Sequence, residues 1–372
     1  MRNMLRQKDH RTFAEVNLSN ILHNIREIKK QLKPGVKFMA VVKADAYGHG
    51  AVAVSRAIER DVDYLSVATI SEALELKREK IKAPIIILSE VPVSQAEVIV
   101  RHQLIQTVYT QKLAKALSWA AKKMNKRAHI HIKVDTGMGR VGVMAEQLPK
   151  LFDQISKLPN LKIEGIYTHL AKAESRNGFT TRQLKIFRAA LSNIDTKGII
   201  LHAANSAAAL YHQESHMGMV RIGLAMYGLY PTGGSRRVIE LRPALEFKTR
   251  VVYVKSVPKG TPISYGCAYR TKKKTLIATL PVGYADGLPR ALSNKGSILI
   301  RGRRYPIVGR VCMDMTLVDA DGSSVFDGDE AVLIGRQGKG SISVDEVAKL
   351  ADTINYEIVC GIGKRVPRVY IV

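Results

Sequence analysis

Along the first two thirds of the chain, short apolar runs alternate with amphipathic stretches. The runs predict strands at 38–43, 64–68, 85–88, 105–109, 128–134, 161–168, 199–204 and 219–223. Near-continuous apolar runs of this kind belong to strands covered on both faces. Between them the apolar positions recur at helical spacing, as in Leu184, Phe187, Leu191 and Ile194. Ile21, Ile25, Ile28 and Leu32 predict a leading helix, and residues 112–123, rich in Ala, Leu and Lys, predict another. Thr69-Ile70-Ser71-Glu72 predicts a capping box at one helix start, and Thr180-Thr181-Arg182-Gln183 predicts a second. Eight such units in about 230 residues predict a (β/α)8 barrel, with a doubly wound open sheet as the alternative.

From Leu245 onward the pattern changes. Alternating runs at 250–254 and 296–300 end in Gly, Lys and Arg turns, which predicts an antiparallel β region. One helix is expected there, from Ser343 to Leu350. The predicted fold is therefore α/β, an N-terminal (β/α)8 TIM-type barrel with a C-terminal, mostly antiparallel β domain. The barrel is assigned to 14–243, and the β domain to 1–13 and 244–372.

Composition narrows the class. The 372 residues are 46% hydrophobic and 24% charged, which suits a globular protein with a full core. Met1 to Thr12 has no apolar core of a signal peptide, and no run approaches the length of a membrane span. Neither export nor membrane association is expected. Cys267, Cys312 and Cys360 have no C-x-x-C spacing, which argues against a disulfide framework or structural zinc and for a reducing cytoplasm. The net charge of +26 raises nucleic acid as a partner. The densest basic clusters are Lys272-Lys273-Lys274, Arg301-Gly302-Arg303-Arg304 and Arg236-Arg237, with little aromatic interleaving. No nucleic-acid partner is expected; the basic surface is read as solvated and attractive to small anions.

In a barrel, chemistry collects at the C-terminal strand ends. There the sequence places Lys43, then Lys133 through Arg140, then Thr168-His169, then His202-Ala203-Ala204-Asn205-Ser206, and finally Arg221-Ile222-Gly223-Leu224. A lysine at the end of a buried strand snorkels to water, is paired, or is kept neutral and reactive. A neutral amine forms Schiff bases. Ser206 and Gly223 follow the seventh and eighth strands, where barrels commonly build phosphate sites. A reactive lysine plus a phosphate site suggests pyridoxal phosphate. Gly137-Met138-Gly139-Arg140-Val141-Gly142 also matches a dinucleotide fingerprint, but it sits at the fifth unit and carries an Arg. His129 and His131 alternate on one strand with no third ligand nearby, so they are read as structural and no metal is expected.

Taken together, these segments resemble the bacterial alanine racemases, barrel-type (fold type III) pyridoxal-phosphate enzymes. The resemblance rests on Ala40-Val41-Val42-Lys43-Ala44-Asp45-Ala46-Tyr47-Gly48-His49-Gly50 and on Lys133-Val134-Asp135-Thr136-Gly137-Met138-Gly139-Arg140. It continues through 202–206 and 221–228, then Ser264-Tyr265-Gly266, 281–287, 309–314 and Thr353-Ile354-Asn355-Tyr356-Glu357. The motifs follow the family order over almost the whole chain.

The resemblance implies interconversion of L- and D-alanine, with pyridoxal 5'-phosphate as cofactor and a homodimer with shared active sites. It implies that Lys43 anchors the cofactor and serves as one base, with Tyr265 of the other subunit as the second. Arg221 would face the pyridine nitrogen, with His202 behind it. Tyr47, Ser206, Gly223, Leu224 and Tyr356 would hold the phosphate. Arg140 and the backbone of Met313 would hold the substrate carboxylate, and His169 would link Tyr265 to Arg221. Lys133 matches a lysine the family often carries as a carbamate. Glu174, Tyr284, Arg290 and Arg310 would line the substrate entrance. Glu174 stands where the family tends to have Asp, and Lys172 adds a charge there. A broad-specificity amino-acid racemase or a basic amino-acid decarboxylase on the same fold is the alternative. The decarboxylases normally place an acid, not an Arg, at the pyridine nitrogen.

Overall fold

The computed structural model describes residues 10–175, 178–231, 237–321 and 324–372. Residues 1–9 and Arg236 lie outside the described residues. The chain divides into two compact units, one of residues 21–46 and 51–242, the other of 1–20, 47–50 and 243–372.

In the second unit β1 (Phe13–Asn17) is the first strand among the described residues. In the first, eight parallel strands follow: β2 (Lys37–Val41), β3 (Tyr64–Val67), β4 (Ile85–Ile87), β5 (Ile105–Val108), β6 (Ala128–Asp135), β7 (Leu161–Tyr167), β8 (Ile200–His202) and β9 (Met219–Ile222). Each pairs with the next, and β9 pairs with β2, so the sheet closes. The closed barrel bears out the eight-unit reading; the open sheet is excluded. The core explains the continuous apolar runs: one face of each strand meets the helices and the other fills the barrel. Met39, Tyr64, Ile86, Ile105 and Met219 form one buried cluster. Two residues further along β5 and β9, Thr107 and Arg221 are buried polar side chains, joined by His131, Tyr167 and His202. The strand period of two carries the inward positions from an apolar layer to a polar one.

The helices are set by local signals. Thr69 and Glu72 form the predicted capping box of helix Ile70–Arg78. The leading helix, Leu18–Lys29, buries Ile21, Ile25 and Ile28, and Leu32 lies past its end. The second predicted capping box does not form. Helix Phe179–Leu191 starts earlier, behind Gly178 in the left-handed region (φ 76°), and Thr180 is inside it. The Gln183 amide is taken elsewhere: it donates to the His169 carbonyl and accepts from Ala171 N–H. Ile194 also falls outside that helix.

The other unit is mostly antiparallel. Its main sheet runs Arg303–Pro306, Ser297–Ile300, Glu330–Gln337, Leu245–Arg250, β1 and Arg368–Ile371. Only β1 with Arg368–Ile371 is parallel among the pairs along that path. A three-stranded sheet joins Tyr253–Val257, Thr275–Leu280 and Thr316–Asp319. The predicted 250–254 strand is thus split, because Val251 N–H turns to the Asp329 carbonyl and Val252 N–H to Thr279. Two α-helices, not one, lie among the described residues of this region: Val344–Leu350, capped by Ser343, and Asn355–Cys360. The second is short and lacks a side-chain cap, so the sequence carries little signal for it. The basic clusters here are partly neutralised: Lys273 pairs with Asp321, Arg301 with Asp329 and Arg304 with Glu346. Among the described residues no helix is long and apolar enough to cross a membrane.

Candidate active site

Lys43 follows β2 at the C-terminal end of the barrel. Immediately after it the backbone enters the left-handed region at four successive residues, Ala44, Asp45, Ala46 and Tyr47 (φ 51°, 52°, 53° and 55°). Each such residue costs about 1–2 kcal/mol, and only glycine enters this region freely. The turn is held by specific bonds. Ala44 N–H donates to Glu72 Oε1 at 2.7 Å, Asp45 Oδ1 accepts from Ala51 N–H at 2.7 Å, and Ala46 N–H donates to the Val42 carbonyl at 2.9 Å. The Glu72 carboxylate that caps its own helix therefore also fixes the turn after Lys43. Strain held this way is a mark of functional sites.

Arg221, on β9, is buried with only 4% exposed. Its guanidinium donates to the carbonyls of Thr168 (2.8 Å) and Ala203 (3.0 Å), to His202 Nδ1 (2.9 Å) and, at 3.5 Å, to His169 Nδ1. Tyr167 forms the floor. The Arg221 guanidinium lies 5.0 Å from its ring centre, Lys133 Nζ lies 5.7 Å away, and the His202 ring stacks on it at 4.7 Å. Burial lowers Arg221 to about 10, with the Tyr167 hydroxyl acting the other way. Burial first, then the Arg221 charge, drives His169 and His202 well below the usual imidazole value, so both are neutral. Lys133 is brought down to about 8 by burial and then by Arg140, Arg221 and Lys43. Arg140 is exposed at the turn after β6. Among the described residues no ion pair joins Lys133, Arg140 or Arg221 to a carboxylate. Around Arg221 the rim is a cationic cradle, with Asp135 the carboxylate that acts on Lys133.

Ser206 begins helix Ser206–Tyr211, and its Oγ accepts from Gly223 N–H (3.0 Å) and Ala225 N–H (3.4 Å). That bond ties the ends of β8 and β9 together beside Leu224, which opens a 3-10 turn. Glu174 and Lys172 are exposed beyond His169. The glycine-rich turn after β6 is not a dinucleotide loop: it runs into a short strand, Val143–Met144, and not into a helix, and Asp135 Oδ1 accepts from Gly137 N–H (2.8 Å) and Gly139 N–H (3.2 Å). The dinucleotide fingerprint requires the glycine turn to open a helix.

The remaining candidates lie in the other unit. Tyr47 is buried there, its ring 6.0 Å from that of Tyr356. Burial, reinforced by Tyr356, raises its phenol above the usual value. A Cβ on Gly48 would lie 2.1 Å from the Val359 carbonyl oxygen, so only glycine fits. Tyr265 is 71% exposed and Met313 53% exposed. Tyr265 follows Ser264, whose φ of 65° and ψ of −179° are costly for any side chain. Ser264 Oγ donates to the Arg310 carbonyl at 2.7 Å, which holds the turn. Ala285 N–H donates to the Met313 carbonyl and Tyr284 N–H to the Cys312 carbonyl, so Tyr284 flanks the Met313 loop. Asp286 and Asp314 are bridged by Arg365, at 2.7 Å to each. Arg290 is exposed in the short turn Arg290–Leu292.

The structure thus gathers Lys43, Lys133, Arg140, His169, His202, Ser206, Arg221, Gly223 and Leu224 on one barrel end. In the other unit it links the Tyr265 turn to Arg310 and the Met313 loop to Tyr284. Sequence reasoning missed Tyr167, Glu72 and Gln183 as parts of the site. Tyr167 was legible as the last residue of a strand that ends at the rim; Gln183 carried no signal. His129 and His131 do not converge on a metal. His129 Nδ1 meets Glu164 and His131 Nδ1 meets His202, each at 2.8 Å. Among the described residues no group of His, Cys, Asp or Glu is arranged to hold a metal ion.

The family model for the N-terminal domain of alanine racemase matches residues 16–231, and that for its C-terminal domain matches 244–370. The alanine racemase of Symbiobacterium thermophilum is 47% identical over 365 residues, 96% of this chain and 97% of that protein. The alanine racemase structure from Clostridium difficile 630 superposes with a TM-score of 0.92 at 37% identity, covering 97% of this chain and 96% of that one. The alanine racemase of Bartonella henselae, solved with covalently bound pyridoxal phosphate, gives a TM-score of 0.88 at 30% identity, over 97% of this chain and all (100%) of that one.

Proposed function

The chain belongs to the alanine racemase family, and we propose that it interconverts L- and D-alanine with pyridoxal 5'-phosphate, using two opposed bases in a site shared between two copies. The observation that carries this reading is the cationic cradle around buried Arg221. A phosphate and a substrate carboxylate supply the opposite charge, and Ser206 with the small residues at Gly223 suits a phosphate. When bound, the cofactor draws electrons from the substrate Cα and so makes its proton removable.

The residues of the chain do the rest. Lys43 anchors the cofactor and moves a proton at one face of Cα. Tyr265 of the second copy moves a proton at the opposite face. Two bases on two faces invert the centre without turning the substrate. A tyrosine is a weak base at neutral pH, and Arg140 and Arg221 supply the field that favours its phenolate. Arg221 would lie at the cofactor ring and keep its nitrogen unprotonated, with His202 behind the guanidinium. His169, held neutral, relays between Tyr265 and Arg221. Tyr47, Ser206, Gly223, Leu224 and Tyr356 hold the phosphate. Arg140 and the Met313 backbone of the second copy hold the alanine carboxylate. Lys133 carries a carbamate beside Arg140; its lowered basicity leaves amine free to capture carbon dioxide. Tyr284, Arg290, Arg310 and Glu174 line the entrance. The barrel carries the cofactor, and the β domain, 244–372 together with the strand Phe13–Asn17, serves the partner's site. The product D-alanine serves peptidoglycan synthesis in the cytoplasm. A broader racemase or a basic amino-acid decarboxylase is the weaker reading, since Arg221, the residue read as facing the ring, is a buried arginine and not an acid.

The test is an absorbance spectrum of the protein and of Lys43→Ala, with D-alanine formation followed in parallel. The native protein shows a cofactor band and interconverts the enantiomers; Lys43→Ala shows neither. A native protein without a band sinks the cofactor reading. A band with carbon dioxide release and no interconversion points to the decarboxylase.

A further inference from the structure

We infer that His131, inside the barrel, is a positioning residue that fixes the tautomer of His202 and thereby the orientation of Arg221. The inference rests on the reading that Arg221 faces the cofactor ring, and it extends the site one residue deeper into the barrel.

The argument follows from which atoms can donate. A guanidinium has donors only. Arg221 Nη1 lies 2.9 Å from His202 Nδ1, so Nδ1 is the acceptor. A neutral imidazole carries one hydrogen, so His202 carries it on Nε2. His202 Nε2 lies 2.8 Å from His131 Nδ1, so it donates there, and His131 carries its own hydrogen on Nε2. The two rings meet edge to face, with centres 5.0 Å apart. Both histidines are fully buried, and burial lowers His131 to about 4. Among the described residues His131 Nε2 has no partner. The relay therefore ends inside the barrel and has no group from which to draw a proton. Arg221 stays the donor to its neighbours on the rim.

The surroundings make room for this geometry. A Cβ on Gly165 of β7 would lie 2.4 Å from His131 Nδ1, so the strand leaves a gap where the ring meets its partner. Without the His131 acceptor, His202 is free to place its hydrogen on Nδ1, where it would oppose the Arg221 N–H. Arg221 would keep the Thr168 and Ala203 carbonyls and lose the bond that sets its third direction. A histidine that merely filled space would be replaceable by leucine.

Long-range proton–nitrogen spectra of the protein labelled at histidine, recorded with and without cofactor, test the relay directly. We expect Nδ1 of His202 and of His131 to be unprotonated and both rings to stay neutral through the pH range where ordinary histidines titrate. A hydrogen on His202 Nδ1, or a charged His202 near neutral pH, overturns the inference. The cofactor-free spectrum bears on the relay alone, whereas a native protein without a cofactor band would fault the cofactor reading instead. His131→Leu should then shift the cofactor band and its pH profile. It should lower kcat about 10–100-fold, the scale on which partners that orient a histidine act, with KM changing far less. His131→Asn, whose amide oxygen stands in for Nδ1, should restore most of both. Equal behaviour of the Leu and Asn variants in spectrum and kcat would show that His131 only packs.

Discussion

The barrel rim and the Tyr265 surface hold different kinds of site. On the rim, Lys133, His202, Ser206 and Arg221 are all buried, each fixed by packing or by named bonds. In the other unit, Tyr265 and Met313 are more than half exposed, although the backbone that carries them is tightly tied. The rim is preorganised within one chain. The Tyr265 surface is preorganised in backbone yet leaves the Tyr265 side chain uncovered. That contrast suits the proposed shared site, in which one copy would bring a finished cradle and the other Tyr265 to set against it.

Breaking the rim should cost most. Lys43→Ala should lower racemisation about 10^4-fold or more and abolish the cofactor band, because anchor and base are lost together. Residual turnover within tenfold of the native protein would remove Lys43 from both roles. Breaking the opposite surface should be asymmetric. Tyr265→Ala should slow proton removal from one enantiomer by about 10^3-fold while sparing exchange of the other enantiomer's α-proton with solvent. Deuterium washout from each enantiomer reads this, and equal losses in both would contradict the two-base scheme.

Smaller effects sharpen the contrast. Lys133→Ala should cost about 10–100-fold through a misplaced Arg140, and short carboxylates should restore part of the activity. No rescue by acetate would argue against a carbamate. Since Lys133 sits at about 8, capture of carbon dioxide should become easier as pH rises through that value. The smallest effect lies at the far end of the barrel. Glu164 sits at the register shift between β6 and β7, and it accepts from Tyr64 Oη and His129 Nδ1 at 2.8 Å each. The His129 bond above all lowers its carboxyl to about 2. A carboxyl depressed in the folded state adds stability above its unfolded value, and that contribution fades as pH falls from about 4 toward 2. Glu164→Gln should therefore cost about 1–3 kcal/mol in denaturant unfolding at neutral pH and nothing near pH 2. A pH-independent difference would mean that packing, not charge, is responsible.

Much of the rim was readable because barrels place polar residues at predictable points. Eight apolar runs gave the strand ends, and Lys43, His169, His202 and Arg221 stood at or just past them. What escaped the reading was set by tertiary competition. Thr180 looked like a cap, but Gln183 was drawn to the His169 carbonyl and the helix began at Phe179. Glu72 was seen as a capping residue, yet its bond to Ala44 N–H joins segments 28 residues apart. Tyr167 reads as an ordinary strand aromatic until Lys133, His202 and Arg221 are found packed on it. The left-handed turn after Lys43 contradicts the propensity of Ala, Asp and Tyr, and conflict of that kind collects at functional sites.

The shared site is tested most directly by mixing two inactive variants. Lys43→Ala and Tyr265→Ala are each expected to be inactive, because every site in each contains one defect. Copies unfolded together and refolded should form mixed dimers in which one of the two sites is intact. Random pairing then predicts recovery of about one quarter of native activity. No recovery, with mixed dimers demonstrated by mass, would contradict the claim that Lys43 and Tyr265 meet across two copies of the chain.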